Sequence, residues 1–163
     1  MKSARKNMKF PLIVLGALLL LTALVGCISF PEPVTTEEFA TAARSLSFEI
    51  RKRPLDEIER LAAAGVTETF AVSHGTATVV FEVCNNDGNA RRVFDTYSDE
   101  VENFLRHPTS QWTGTAPTWN SHRRRASGNL AVAIRVENTV FFATAETAED
   151  IAAVDALIEA IDY

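Results

Sequence analysis

The sequence is poor in the residues that build disulfides, metal centres and nucleic-acid interfaces. It has 2 cysteines and 3 histidines in 163 residues, and none of them has the short spacing of a zinc site. The Gly-x-Ser-x-Gly turn of serine hydrolases is also missing. Basic residues number 16 against 21 acidic ones, whereas phosphate binding needs clustered cations. The composition therefore offers no catalytic motif, metal site or cofactor site, and it argues against a nucleic-acid partner.

Long apolar runs are absent except for one near the start of the chain. Residues 10–26 are uncharged, and the nine residues before them contain four of the 16 basic residues and no acidic one. The rest of the chain therefore carries 12 basic residues against 21 acidic ones, a formal charge of −9. The run of 17 residues is at the lower limit for crossing a bilayer core of about 30 Å. A basic flank before an apolar stretch is typical of a secretory signal.

The apolar run ends in Leu24-Val25-Gly26-Cys27, which resembles the lipobox of bacterial prolipoproteins. The resemblance implies that diacylglycerol is attached to the Cys27 thiol and that residues 1–26 are a signal peptide cleaved before it. Two or more acyl chains hold a protein stably in a bilayer. We therefore expect a lipoprotein anchored in the cell membrane and facing the extracytoplasmic side. The alternative is an uncleaved membrane helix with a coincidental cysteine.

The remaining chain predicts a tether and one domain. Residues 27–34 contain two prolines and no periodic pattern, so they form the lipidated tether. Residues 35–163 are numerous enough to bury a core of their own. If Cys27 is acylated, Cys84 has no partner for a disulfide.

Hydrophobic periodicity predicts an α+β fold for residues 35–163. Apolar residues recur at helical spacing after the Thr35 capping box and again from Ala90 to Leu105, and they alternate from Val66 and from Ala77 as in a hairpin. The element order is α-β-α-ββ-α-βββ-α. This order predicts a mostly antiparallel sheet of about five to six strands, with helices packed on one face. Residues 108–121 are expected to form a loop.

This succession of elements resembles small single-domain lipoproteins of bacteria with Gram-positive-type envelopes, an uncharacterised α+β family. The matching pieces are TTEEF at residues 35–39, VVFEV at 79–83, Ala90, Phe94 and Tyr97 on the central helix, RVENTVFFATAE at 135–146, and a last helix closing in Asp162-Tyr163. The resemblance implies a lipobox and one α+β domain, and it transfers no site residue.

Two tryptophans and a run of three arginines are the candidates for partner binding. Trp112 and Trp119 lie seven apart in a segment rich in Gly, Pro and Thr, and tryptophan dominates the energetics of many interfaces. The alternative is that both indoles pack back onto the sheet. On a strand, Arg123 and Arg125 share one face and Arg124 takes the other. They could meet anionic headgroups at about 1 kcal/mol each, or they could protect an edge strand from aggregation.

The other reactive side chains favour no reaction. The three histidines, His74, His107 and His122, are far apart in the sequence. The pattern around Cys84 predicts a partly buried residue in a strand. The polar turn at residues 85–89 has a single acidic side chain, too few for a calcium loop. These residues predict no catalytic group and no metal ligand.

The sequence as a whole predicts a non-enzymatic binding or envelope-accessory module. Its expected partners are the lipid bilayer, through acylated Cys27, and an envelope protein or a cell-wall component. The alternative is a small extracytoplasmic enzyme or metal-handling protein that gathers dispersed histidines and acidic residues. A cleft lined by His122, Cys84 or Asp99 would favour that alternative.

Overall fold

A computed structural model of the protein describes residues 31–163. Cys27 and the predicted signal peptide, residues 1–26, lie outside the described residues, and so does the first half of the predicted tether. Within the described part, no helix is both long enough and apolar enough to cross a bilayer.

The described residues form four helices and a seven-stranded sheet. The helices are α1 (Thr36–Ser45), α2 (Leu55–Ala63), α3 (Asp87–Phe104) and α4 (Ala148–Ala160). The strands are β1 (Glu49–Arg51), β2 (Val66–His74), β3 (Ala77–Cys84), β4 (Ser110–Ala116), β5 (Trp119–Ala126), β6 (Asn129–Val136) and β7 (Thr139–Ala145). All neighbouring strands are antiparallel, in the order β1-β2-β3-β7-β6-β5-β4. The predicted α+β fold with an antiparallel sheet is confirmed.

Three of the four helices begin at a residue whose side chain caps the first turn. The Thr35 hydroxyl accepts from the Glu38 N–H at 3.2 Å, and the Glu38 carboxylate accepts from the Thr35 N–H at 2.7 Å, as the predicted capping box requires. Asn86 caps α3 through the Asn89 N–H at 2.9 Å. Thr147 caps α4 through the Asp150 N–H at 3.1 Å.

Helices cover both faces of the sheet, so the prediction that they pack on one face is wrong. α1 and α4 pack on one face, around Phe39, Phe81 and Leu157. α3 packs on the opposite face, around Val93 and Tyr97. The alanines that alternate with larger residues along β6 explain the difference. Ala131 and Ala133 are fully buried beneath α3, because their small side chains let the helix come close to the sheet.

The sheet has seven strands rather than the expected five to six, and four of them follow α3 instead of three. Residues 108–121 do not form a loop, because they contain β4, a two-residue turn at Pro117 and Thr118, and the start of β5. β4 lies at the edge of the sheet and most of its residues are exposed. A strand with little buried surface carries no alternation of apolar and polar residues, so periodicity cannot detect it.

Candidate functional site

The two tryptophans lie side by side on the face of the sheet that α1 and α4 cover. Trp112 is opposite Arg123 in the β4–β5 register, and Trp119 is opposite Ala116. Their ring centroids are 5.5 Å apart, with 56° between the ring planes. Gly114 permits this contact, because a Cβ atom there would lie 2.3 Å from the Trp119 ring and 2.9 Å from the Trp112 ring.

The two indoles differ in their exposure. The Trp112 side chain is 53% exposed. Trp119 is half-buried against the core of the α1 and α4 face, and its Nε1 atom is buried with no hydrogen-bond partner among the described residues. The sequence left two alternatives open for these tryptophans. Trp119 packs back onto the sheet, whereas the side chain of Trp112 faces outward.

The strand that carries Trp112 has an open edge. β4 pairs with β5 on one side, and no described strand pairs with its other side. Its sequence, SQWTGTA, contains no charged residue and no proline. The backbone groups along this edge are therefore available to another extended chain.

The three arginines bind helices on the two sides of the sheet. Arg123 and Arg125 both donate to the Asp155 carboxylate of α4. Arg124 points to the opposite face, where its Nη1 donates to the Leu105 carbonyl at 3.2 Å. The predicted alternation of the three side chains is confirmed. The reading of this run as an edge strand is wrong, because β5 has neighbours on both sides.

The histidines and Cys84 do not come together. His74 contacts Asp150 at the β2–β3 turn, with 3.1 Å between Nδ1 and Oδ1. His107 is exposed after the end of α3, and His122 is buried in β5, where burial lowers its pKa. Cys84 is buried at the end of β3, and burial raises the pKa of its thiol to about 11. A thiol with this pKa is a poor nucleophile at neutral pH.

A cavity that was not predicted from the sequence lies between α2 and α3. Its volume is about 390 Å³, and strands β3 and β7 form its floor through Val80 and Phe142. Charged side chains from both helices line it, among them Glu57, Arg60 and Glu100. None of His122, Cys84 and Asp99 lines it. Among residues 31–163, no group of three or more His, Cys, Asp or Glu side chains is placed to hold a metal ion.

A buried carboxylate stands behind this cavity. Glu82 of β3 is fully buried, and its Oε1 accepts from the Tyr97 hydroxyl at 2.7 Å and from Arg53 Nη1 at 2.6 Å. Arg53 also donates to Glu57 and Thr69, at 2.6 Å each. Tyr97 and Arg53 both line the cavity. Burial raises the pKa of Glu82, and the bonds from Tyr97 and Arg53 oppose that rise.

The comparisons with known proteins identify no family. No family model matches the chain, and no curated protein matches it significantly. Among solved structures, a GTP binding regulator from Thermotoga maritima aligns with a TM-score of 0.46 and 9% sequence identity. The alignment covers 80% of this chain and 91% of that one. A similarity this weak carries no conclusion about what the chain binds.

Gly114→Ala is expected to separate the two indoles and to lower the free energy of unfolding by about 1–3 kcal/mol. The added methyl group overlaps the ring of Trp119, which packs against the core. Urea denaturation and the near-ultraviolet circular dichroism of the tryptophans measure the two effects. Gly88→Ala is the control, since a Cβ atom there meets only the Asn86 side chain at 3.3 Å. Unchanged tryptophan dichroism in Gly114→Ala would contradict this account.

Proposed function

We propose that the protein is a lipid-anchored extracytoplasmic lipoprotein whose domain binds another envelope protein and catalyses no reaction. The anchor rests on the sequence Leu24-Val25-Gly26-Cys27, which lies outside the described residues. The open edge of β4, with Trp112 exposed beside it, is the observation that carries the binding role. The partner is a polypeptide that adds an extended segment to this edge as an eighth strand.

The composition of β4 supports this mode of binding. Natural proteins usually shield the edges of their sheets with charged side chains, prolines, bulges or very short strands. β1, at the other edge, has three residues and carries Glu49 and Arg51. β4 has seven uncharged residues. An added strand gains affinity from main-chain hydrogen bonds, and its side chains find specificity in neighbouring pockets.

The tryptophan pair supplies the side-chain contact that strand addition needs. Trp112 is next to the open edge and offers a large, rigid apolar surface. Trp119 supports it from the β5 side at 5.5 Å. Arg123 and Arg125 lie on the same face, opposite Trp112 and Ser110 in the strand register, and both bind Asp155. Arg124 points to the other face and is left out of the proposed surface.

Site-specific photo-crosslinking in the native membrane tests the binding role. A photoreactive residue at Thr113 or Thr115 in β4 is expected to capture one defined protein. Thr113 and Thr115 are exposed and flank Gly114 on the edge strand. The same residue at Glu37, an exposed position on α1, is the control and should capture nothing comparable. Equal capture from Glu37, or no capture from β4, would refute the proposal.

A Trp112→Ala change in the same experiment should abolish the crosslink and change the free energy of unfolding by less than about 1 kcal/mol, since the side chain is largely exposed. Trp119→Ala should instead lower the free energy of unfolding by about 3 kcal/mol, because that indole packs on the core.

The lipid anchor is tested separately. Mass spectrometry of the membrane-extracted protein should find acylated Cys27 at the N-terminus, and intact residues 1–26 with unmodified Cys27 would refute it.

A further inference from the structure

The cavity between α2 and α3 has the size and the walls of a small-molecule site. Its volume of about 390 Å³ falls in the range of about 300–1,000 Å³ that is usual for ligand pockets. α2 supplies one wall, α3 supplies the opposite wall, and the sheet closes the bottom. No side chain of α2 is fully buried, so this wall can adjust to a ligand at little cost in packing.

The bottom and sides of the cavity are apolar. Val80 and Phe142 lie on the sheet, and Leu61 and Val93 face them from the two helices. Phe142 is held in place by Tyr97, since the two rings stack with centroids 4.6 Å apart and 8° between their planes. These surfaces fit a compact aliphatic or aromatic body and leave polar recognition to the charged residues around them.

Three carboxylates and two arginines lie in the cavity wall or directly behind it. Glu57 and Glu100 line it from facing helices, and Glu82 lies behind it. Arg53 is committed to Glu57 and Glu82, which leaves Arg60 as the other lining cation. Glu100 makes no hydrogen bond or ion pair among the described residues. Burial raises the pKa of Glu100, and the negative charges of Glu57 and Glu82 raise it further.

Glu82 provides a second and independent indication of a missing donor. Its carboxylate is directed at Tyr97 and Arg53, which both line the cavity, but its Oε2 atom is buried with no partner in the described part of the chain. A buried acceptor without a donor costs about 1–3 kcal/mol. Glu82 does not itself line the cavity, so it acts on a ligand there through its negative charge.

We infer that this cavity binds a small organic cation, an amine with a compact apolar body, whose N–H groups are recognised by the two lining carboxylates, Glu57 and Glu100. The apolar body lies against Leu61, Val80, Val93 and Phe142. This site is separate from the β4 edge, and it neither requires nor excludes the proposed binding of an envelope protein.

Methyl-detected NMR titration of the full chain in lipid nanodiscs tests the inference with three probes that share one body. n-Pentylamine is expected to shift the methyl signals of Val93, Val80 and Leu61 saturably at pH 7. n-Pentanol and n-pentanoate should need at least tenfold higher concentrations, because they lack the cationic donor. Equal affinity for pentanol or pentanoate, or no saturable shift with the amine, would overturn the inference.

Two matched carboxylates on α3 complete the test. Glu100→Gln should weaken amine binding at least tenfold, and Glu102→Gln should leave it unchanged, because Glu102 lies on the other side of α3 beside Arg124 and is absent from the cavity wall. Amine affinity should also fall as the pH is lowered through the raised pKa of Glu100. An effect of Glu102→Gln equal to that of Glu100→Gln would overturn the assignment to this cavity.

Discussion

Arg53→Met is expected to lower the free energy of unfolding by about 3–5 kcal/mol at pH 7. The Arg53 side chain is only 10% exposed, and its Nη1 lies 2.6 Å from Oε1 of the fully buried Glu82. Removing the guanidinium leaves a carboxylate in the interior with only the Tyr97 hydroxyl as a donor. An unpaired buried charge is one of the most destabilising changes that a single substitution can make.

The loss caused by Arg53→Met should shrink as the pH falls. Burial already raises the pKa of Glu82 above its ordinary value of 4.5, and Arg53 acts against that rise. Without Arg53 the pKa rises further. A carboxyl group with a raised pKa binds its proton more tightly in the folded state, so the folded state gains stability as the pH falls from that pKa toward 4.5. The difference from the wild type is therefore largest at pH 7 and smallest near pH 4.5.

Urea denaturation at several pH values, with two further variants, checks this prediction. Arg53→Met combined with Glu82→Gln should recover most of the loss at pH 7, since no buried charge remains. Lys52→Met removes the neighbouring exposed cation and should change the free energy of unfolding by no more than about 0.5 kcal/mol. A loss in Arg53→Met that does not depend on pH would show that lost packing, rather than the charge of Glu82, causes it.

Local patterns predicted most of the elements but not their layering. The cap at Thr35 and the apolar stripe of α3 depend on residues close together in the chain, and the structure confirms both. The layering could have been inferred from β3 and β6, which are almost continuously apolar. Such strands are typical of sheets covered on both faces.

The tryptophan pair was predicted only as two candidates, because its contact depends on strand register. Trp119 comes seven positions after Trp112, and the two-residue turn after Ala116 fixes the register that places both on one face of the sheet. The role of Gly114 also follows from that register. No local signal reveals that β4 is a strand, since an exposed edge has no buried face to mark it.

The cavity was missed for a related reason. Glu82 interrupts the apolar run of β3, and a charged residue in a strand buried on both faces requires a partner. That signal is visible in the sequence. Its partners are not, because Arg53 comes 29 residues earlier and Tyr97 comes 15 residues later. Only the packing of α3 and the path of the chain before α2 bring them together.

A second large effect is expected at Arg135, the other fully buried charge of the sheet. Its Nε donates to the Asn120 side chain at 2.7 Å, and its Nη1 donates to the Glu137 carbonyl at 2.9 Å and to the Asp87 carboxylate. Its Nη2 donates to the Pro117 carbonyl at 3.2 Å. One guanidinium therefore joins β5, the β4–β5 turn, the β6–β7 turn and the start of α3.

Arg135→Met is expected to lower the free energy of unfolding by about 2–4 kcal/mol, because the Asn120 oxygen and the Glu137 carbonyl lose a charged donor. Arg135→Lys should recover only part of this loss, since an ammonium group cannot reproduce the planar fork that reaches both turns. The β4–β5 turn loosens at the same time, so the tryptophan dichroism should weaken in both variants. Urea denaturation and near-ultraviolet circular dichroism measure these changes.

Arg91 offers a control that shares two of the same acceptors. It donates to the Asp87 carboxylate at 2.9 Å and to the Pro117 carbonyl at 2.6 Å, but its side chain is 50% exposed. Water can replace Arg91 at both acceptors, so Arg91→Met should cost less than about 1 kcal/mol. Arg135 differs because its own side chain is fully buried, so its removal takes a charged donor out of the interior. Equal losses from the two substitutions would mean that the shared acceptors Asp87 and Pro117, rather than the contacts of Arg135 with Asn120 and Glu137, hold this end of the domain together.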